Sequence, residues 1–437
     1  MMRRTGFVAL IIFLALGFSG CWDRIEIEDV AIVGAMGIDK GQGDNVVVSL
    51  EITNPGALAI GTHAATSQSP VVSIVTRDEA STIRAAITNA QRRTPRRIVT
   101  GLIGTVVFGQ SLAREGIGQY IDYLVRNARV RSSAVLATCD SGAGLLQRPF
   151  LSPLPSRTLA GLSESAPASG MTMTATITEF AAKLSEPGIE PITLHTVGRK
   201  TKDVQVKRQG EEVKQTDPAV MLEEPIDVDI TLDGELPADS PVLSPYRESS
   251  SGEFVPGITI DIGIAAYRDD KMVGLLDGVE ARGYLWATGK LEEGTVEVPD
   301  PGGSGKTIAL SIIRSSASIK PVLDEEVVRM DVELHVDLET REGPLDTDMT
   351  NETLLQALED SIDALILHEA RATLNRVQKE LKSDIYGFGN RVYRANPKLW
   401  AQLEPRWNDE VFPNLEVRLQ VSSRVRAPGA AYGLSAR

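Results

Sequence analysis

Residues 353–382 read TLLQALEDSIDALILHEARATLNRVQKELK. Apolar residues recur here every three or four positions and form one stripe, made of Leu355, Leu358, Ile362, Leu365, Ile366, Leu374, Val377 and Leu381. This spacing predicts one long amphipathic helix that buries the stripe. Thr353 and Gln356 stand at the two positions of a capping box, so we expect the helix to begin beside them.

The segments around this helix alternate like strands. Residues 327–338 place Val332, Leu334, Val336 and Leu338 on one face, and residues 415–421 alternate in the same way. Runs of strand and helix character also fill the first half of the chain, where Thr176–Leu184 is a short predicted helix. The predicted fold class is α+β, with mixed β-sheets, packed helices and two to three domains.

The length of the chain predicts more than one domain. A chain of 437 residues is too long for one ordinary core. We expect a signal peptide at 1–20, an N-terminal domain at 21–222 and a C-terminal domain at 223–437. Prolines and small residues between Pro149 and Gly170 predict a linker or a long loop, at which the first domain could split near 150–170.

The first 21 residues have the parts of a bacterial lipoprotein signal. Arg3 and Arg4 precede the apolar stretch Phe7–Phe18, and Ser19-Gly20-Cys21 follows. The apolar stretch is shorter than the roughly 20 residues that a spanning helix needs. The predicted product is cleaved before Cys21 and anchored on the outer face of a bacterial membrane.

The charge balance limits the partners. The formal net charge is −14, and an acidic surface repels nucleic-acid phosphates and anionic headgroups. We therefore expect no nucleic-acid binding, and membrane attachment has to come from the lipid on Cys21, because two acyl chains give stable anchoring where one gives marginal binding.

Three partial motifs suggest chemistry, and each has a simpler explanation. Gly302–Thr307 resembles the end of a phosphate-binding loop, but Asp300 stands where the first glycine belongs and a strand follows instead of a helix. His368-Glu369 begins a zinc-protease motif whose second histidine is absent. Glu333, His335 and Asp337 share one strand face that a solvated surface explains equally well.

No other pattern predicts catalysis. The four histidines have no ligand spacing, and no nucleophile arrangement occurs, so we expect no metal site, no cofactor and no enzymatic activity. Cys139 ends an apolar run and is predicted to be a small buried side chain at the end of a strand rather than a reactive thiol.

Blocks of sequence in a fixed order resemble one family. They are Cys21-Trp22-Asp23-Arg24 with Gly37-Ile38-Asp39, Val106–Gly109, Glu280-Ala281-Arg282-Gly283, and Ser383–Gly389 followed by Trp400 and Trp407. Together they resemble the Ger(x)C family, the lipoprotein C subunits of nutrient germinant receptors in endospore-forming bacteria.

The resemblance implies a three-domain α+β ectodomain without enzymatic activity. It also implies an S-diacylglyceryl group on Cys21, with or without an N-acyl chain, and a place in the inner spore membrane beside integral-membrane A and B subunits. Asp384, Gly387, Phe388 and Trp400 form a candidate partner contact. Internal packing against the long helix explains the same residues and is the interpretation we favour.

Two other functions stay open from sequence. A substrate-binding lipoprotein feeding a transporter would need an apolar pocket between two lobes. An extracytoplasmic hydrolase would need a metal or acyl-enzyme site.

Overall fold

A computed structural model describes residues 26–54, 73–147, 152, 154–200, 258–324, 328–344 and 351–426. The signal peptide at 1–20, Cys21 and both predicted domain boundaries lie outside these residues. The split near 150–170 also stays a prediction.

A large mixed sheet occupies the first half of the fold. Its strands are β1 (Val30–Lys40), β2 (Val46–Thr53), β3 (Ser73–Ala80), β4 (Arg97–Val99), β5 (Thr105–Gly109), β6 (Val135–Cys139), β7 (Ala175–Thr176), β8 (Ile192–Lys200), β9 (Ile258–Arg268) and β10 (Lys271–Asp277). The main order is β10-β9-β8-β6-β5-β1-β2-β3, with β4 beside β1 and β7 beside β6. Strands β1, β5, β6 and β8 run parallel, and the outer pairs are antiparallel.

Both faces of this sheet are buried, because alternate residues of β5 enter different cores. Val106 and Phe108 join one cluster and Val107 joins the other. Six helices cover the sheet: α1 (Ile83–Arg93), α2 (Gln110–Glu115), α3 (Gly118–Arg126), α4 (Gly142–Leu146), α5 (Pro155–Ser169) and α6 (Ile177–Ser185). Helix α6 confirms the predicted short helix and begins with a capping box between Thr176 and Glu179.

The linker predicted between Pro149 and Gly170 is wrong over most of its length, because α5 occupies it. Pro155 stands in the first turn, where a missing N–H costs nothing, and Gly170 ends the helix with φ 63°. Leu159 and Leu162 pack against the sheet beside Val107. The burial of this apolar face stabilises a helix whose small residues suggest a loop.

The second sheet has four strands in sequence order: β11 (Thr295–Pro299), β12 (Thr307–Leu323), β13 (Val328–Glu342) and β14 (Glu416–Arg426). Its buried face contains the four predicted residues of β13, which are Val332, Leu334, Val336 and Leu338. Helices α7 (Gly278–Thr288) and α8 (Glu352–Asn375) pack on this face. The prediction of an α+β fold with mixed sheets is therefore confirmed.

The long helix is close to its prediction, with two differences. Asn351 caps it and accepts hydrogen bonds from the amides of Thr353 and Leu354, so the capping box predicted at Thr353 and Gln356 is wrong. Its last part, Arg376–Leu381, is a π-helical turn that Lys382 ends with φ 49°. Among the described helices, none combines the length and apolarity needed to cross a bilayer.

Three short helices follow: α9 (Phe388–Ala395), α10 (Pro397–Leu403) and α11 (Phe412–Asn414). The predicted start at Asn396 and Pro397 is confirmed, since the Asn396 side chain accepts from the Leu399 amide at 3.1 Å.

Candidate functional site

The candidate contact residues lie directly after the long helix, and all four are buried. Asp384 is fully inaccessible, Phe388 is 1% exposed and Trp400 is 3% exposed. Gly387 is also buried and has φ 68°, a conformation that residues with a side chain rarely adopt. The structure thus places these four residues together, in the interior.

Asp384 organises this region through both oxygens of its carboxylate. Oδ1 accepts from the Phe388 amide at 3.0 Å, and Oδ2 accepts from the Gly389 amide at 2.7 Å and from Trp407 Nε1 at 3.0 Å. The pKa of Asp384 is raised to about 6, because the loss of hydration outweighs the hydrogen bonds that favour the ionised form. The buried carboxylate therefore holds the start of α9 in place through hydrogen bonds.

The same region contacts the end of the first half of the chain. We call this contact, between residues 186–190 and residues 384–409, the junction. The Glu190 amide donates to the Asp384 carbonyl at 3.0 Å, and the Asn390 amide donates to the Gly188 carbonyl at 2.7 Å. A Cβ on Gly188 would overlap the backbone of Gly389, so only glycine permits this approach.

Side chains also cross the junction. Glu186 accepts from Asn390 at 3.0 Å and from Arg394 at 2.7 Å. Glu190 accepts from the Asp269 amide at 2.6 Å and from Asn408 at 2.5 Å. Burial raises the pKa of Glu190 to about 7, with Asp269 and Asp384 adding repulsion.

Aromatic rings fill the space below the junction. Tyr386 and Phe388 stack with centroids 5.2 Å apart, and Phe388 contacts Phe412 at 6.2 Å. Trp400 and Trp407 meet at 5.1 Å. These distances are those of stabilising aromatic pairs, so the rings contribute packing energy. Partner contact by Asp384, Gly387, Phe388 and Trp400 stays a prediction.

Parts of α9 and α10 are exposed to solvent. Tyr393 is 38% exposed, and Arg394 and Lys398 are exposed on α9 and α10. Tyr393 and Arg394 lie on α9, whose first turn the Asp384 carboxylate fixes.

Glu369, the second residue of the partial zinc motif, has another role. It is 1% exposed and accepts from Arg282 Nε at 2.8 Å and from Trp286 Nε1 at 2.9 Å, and Arg282 Nη2 also pairs with it. His368 is exposed. Glu369 therefore ties α8 to α7.

Gly283 lets α7 and α8 approach closely. A Cβ at this position would overlap the Glu369 carbonyl and the Thr373 hydroxyl. The family-like block Glu280-Ala281-Arg282-Gly283 thus supplies a helix crossing and a buried ion pair. Sequence reasoning noted the block without seeing this pairing.

Asp39, in another family-like block, acts in a similar way. Its carboxylate accepts from the amides of Gly142 at 2.7 Å and Ala143 at 2.8 Å, at the start of α4. A Cβ on Gly37 would lie 2.8 Å from the Gly142 carbonyl carbon. The block positions α4 against β1.

The remaining partial motifs fall on ordinary elements. Residues 302–306 lie in the turn between β11 and β12, and Thr307 begins β12, with Asp300 accepting from the Gly302 amide at 2.9 Å. Within the described ranges, no three His, Cys, Asp or Glu side chains come together as metal ligands would. Cys139 is buried and unbridged at the end of β6, and burial raises its thiol pKa, as predicted for a core side chain.

Two family descriptions match the two halves of the chain. "Spore germination protein N-terminal domain" matches residues 23–195, and "Spore germination B3/ GerAC like, C-terminal" matches residues 262–429. Together they cover most of the sequence in the order in which the resemblance places them.

Curated relatives come from Bacillus subtilis (strain 168). Spore germination protein KC is 24% identical, with 98% of this chain and 97% of the relative covered. The putative spore germination protein YfkR is 23% identical, with 99% of each chain covered. A solved structure, the GerBC protein, aligns with a TM-score of 0.47 at 14% identity over 92% of this chain and 99% of that one.

Proposed function

Because the chain belongs to the GerAC-like family of spore germination proteins, we propose that it is the lipid-anchored C subunit of a nutrient germinant receptor. It would act by contact with integral-membrane A and B subunits and without catalysis. The observation that carries this proposal is the match of both halves of the family, in order, along one chain.

The proposed anchor is Cys21. Ser19-Gly20-Cys21 follows an apolar stretch, and a diacylglyceryl group on the Cys21 sulfur would hold the protein on the outer face of the membrane. The net charge of −14 gives the folded body little affinity for anionic lipid, so the lipid has to supply attachment. In the spore, this membrane would be the inner one.

The proposed partner contact is the surface over the junction. Asp384, Gly387, Phe388 and Trp400 are buried, so they would act by fixing α9 and α10, and Tyr393 and Lys398 would meet the partner. An exposed tyrosine beside basic side chains is typical of protein interfaces.

Gene deletion tests the proposed function. Spores lacking the protein should fail to respond to one set of nutrients and should germinate normally with a non-nutrient trigger. A normal response to every nutrient, in a strain without a paralogue, would refute the receptor assignment. Lost nutrient uptake with normal germination would instead favour the transporter-feeding alternative.

Co-purification tests the contact. Tyr393→Ala should leave abundance and thermal stability unchanged, because the side chain is exposed, while lowering recovery of the A and B subunits from spore membranes. Lys306→Ala, at the exposed turn between β11 and β12, is the control and should change neither. Equal recovery with Tyr393→Ala and with the wild type would exclude this surface.

A further inference from the structure

The outer face of the second sheet has a row of charged residues near one end. Arg314, Asp337 and Arg424 are directly opposite one another on β12, β13 and β14. Opposed residues in a ladder point to the same face, and Asp337 alternates with the buried Val336 and Leu338. The next row on this face contains Ser316, His335 and Ser422.

The first row contains more positive than negative side chains. Asp337 Oδ2 already pairs with Arg426 Nη2 at 2.9 Å. The guanidinium groups of Arg314 and Arg424 form no hydrogen bond or ion pair with any residue in the described part of the chain. Two guanidinium groups are therefore available on the surface of a protein whose net charge is −14.

The other end of the same face is different. There Arg418 pairs with Glu416 at 2.7 Å, Arg329 pairs with Asp331 at 3.0 Å, and Lys320 lies 3.7 Å from Glu333. A solvated strand face with alternating charges predicts such pairs along its whole length. The unpaired arginines at one end are a departure from that pattern.

A surface cavity of about 260 Å³ lies between the unpaired arginines. Its lining residues are Arg314, Ser316, His335, Val336, Asp337, Ser422 and Arg424. The residues that line this cavity carry two guanidinium groups, two hydroxyls and an imidazole. Most of these groups can donate hydrogen bonds, and the single carboxylate among them is already paired with Arg426.

We infer that this cavity is a binding site for a phosphoryl group. The Cα atoms of Arg314 and Arg424 are two strand spacings apart, about 9.6 Å, so both side chains reach a group held above His335. One bidentate arginine saturates the two oxygens of a carboxylate. A phosphoryl group has more oxygens and more charge, so it can accept from both forks and from the serine hydroxyls at once.

The phosphoryl group can come from a soluble phosphorylated compound or from a phospholipid headgroup. Both offer the same oxyanion, and two titrations separate them. The full-length acylated protein in nonionic detergent is titrated with inorganic phosphate by calorimetry. The second titration adds mixed micelles that contain phosphatidylglycerol.

Four substitutions test the site. Arg314→Gln and Arg424→Gln should each weaken binding at least about tenfold, the loss expected for a hydrogen-bonded charge pair. Arg418→Gln, a paired arginine on the same face of β14, should leave the Kd within about twofold. Arg424→Lys should recover part of the loss, because it keeps the charge without the fork. All three arginines are exposed, so thermal midpoints should not move.

Each outcome decides the proposal. Binding of inorganic phosphate, lost with the two cavity arginines, supports the site and a soluble ligand. Binding of phosphatidylglycerol micelles alone, with the same pattern among the variants, supports the site and a headgroup. No binding in either titration, or an equal loss of affinity with Arg418→Gln, would overturn the proposal. Binding of acetate as tight as that of phosphate, in a third titration, would also overturn it.

Discussion

Replacing Asp384 by alanine would remove the carboxylate that the start of α9 and Trp407 share. The amides of Phe388 and Gly389 and the Trp407 indole N–H would lose their acceptor in a fully buried place. Alanine is too small to recruit another partner, so we expect the junction to lose stability.

Two opposing effects set the size of this loss. Each orphaned donor costs about 1–3 kcal/mol, or about 6 kcal/mol for three. Ionised Asp384 is itself unfavourable, because its pKa rises from 3.8 to about 6, and relief from this burial returns about 3 kcal/mol. The net expectation is a loss of about 3 kcal/mol at pH 7, or roughly 6–12 °C in thermal midpoint.

The pH dependence checks the second effect separately. Asp384 has a raised pKa in the folded protein, so the fold binds more protons than the unfolded chain between about pH 4 and 6. Its contribution to stability therefore falls as pH rises through this window and is constant above it. The alanine variant should lack this part of the slope.

Thermal and urea unfolding of the full-length protein at several pH values would measure both effects. A midpoint for Asp384→Ala within 2 °C of the wild type would refute the reasoning.

Cys21→Ala should leave the protein uncleaved or soluble and without acyl chains, and an unmodified Cys21 N-terminus in the membrane-bound wild type, seen by intact mass, would contradict the anchor. A chelator or a reductant should leave the thermal midpoint of the full-length protein unchanged within a few degrees, and a larger fall would reveal a metal or a disulfide. Gly283→Ala should cost about 1–3 kcal/mol in urea unfolding, because its Cβ overlaps the Glu369 carbonyl, whereas Gly161→Ala, with open space around it in α5, should be neutral or stabilising. Because the pKa of Glu190 is raised to about 7, the stability of the wild type should fall as pH rises between about pH 4.5 and 7. Glu190→Gln should reduce this fall in stability.

Sequence alone identified the elements whose signals are local. The apolar stripe of residues 353–382 and the alternation on β13 each depend on one period, and burial follows that period. The helix starts at Thr176 and Asn396 depend on a side chain and an amide three residues away. The family-like blocks could be recognised from sequence for the same reason, because each block is a continuous stretch of residues.

Predictions from local sequence patterns were wrong or incomplete where a contact with a distant segment decides the local structure. Helix α5 forms because Leu159 and Leu162 find an apolar surface on the first sheet, which its own small residues do not predict. The absence of a second histidine excluded a zinc motif at His368-Glu369 from sequence, but only the structure gave the Glu369 carboxylate its partners, Arg282 and Trp286.

At the candidate site, too, sequence identified some residues and only the tertiary structure identified others. Sequence singled out Asp384, Gly387, Phe388 and Trp400, and it favoured packing over partner contact. Only the tertiary structure supplied Glu190 and the glycine contact at Gly188, which come from the other half of the chain. The pKa of a carboxyl group depends on the water and the donors that the complete fold leaves around it, and no sequence spacing encodes that environment.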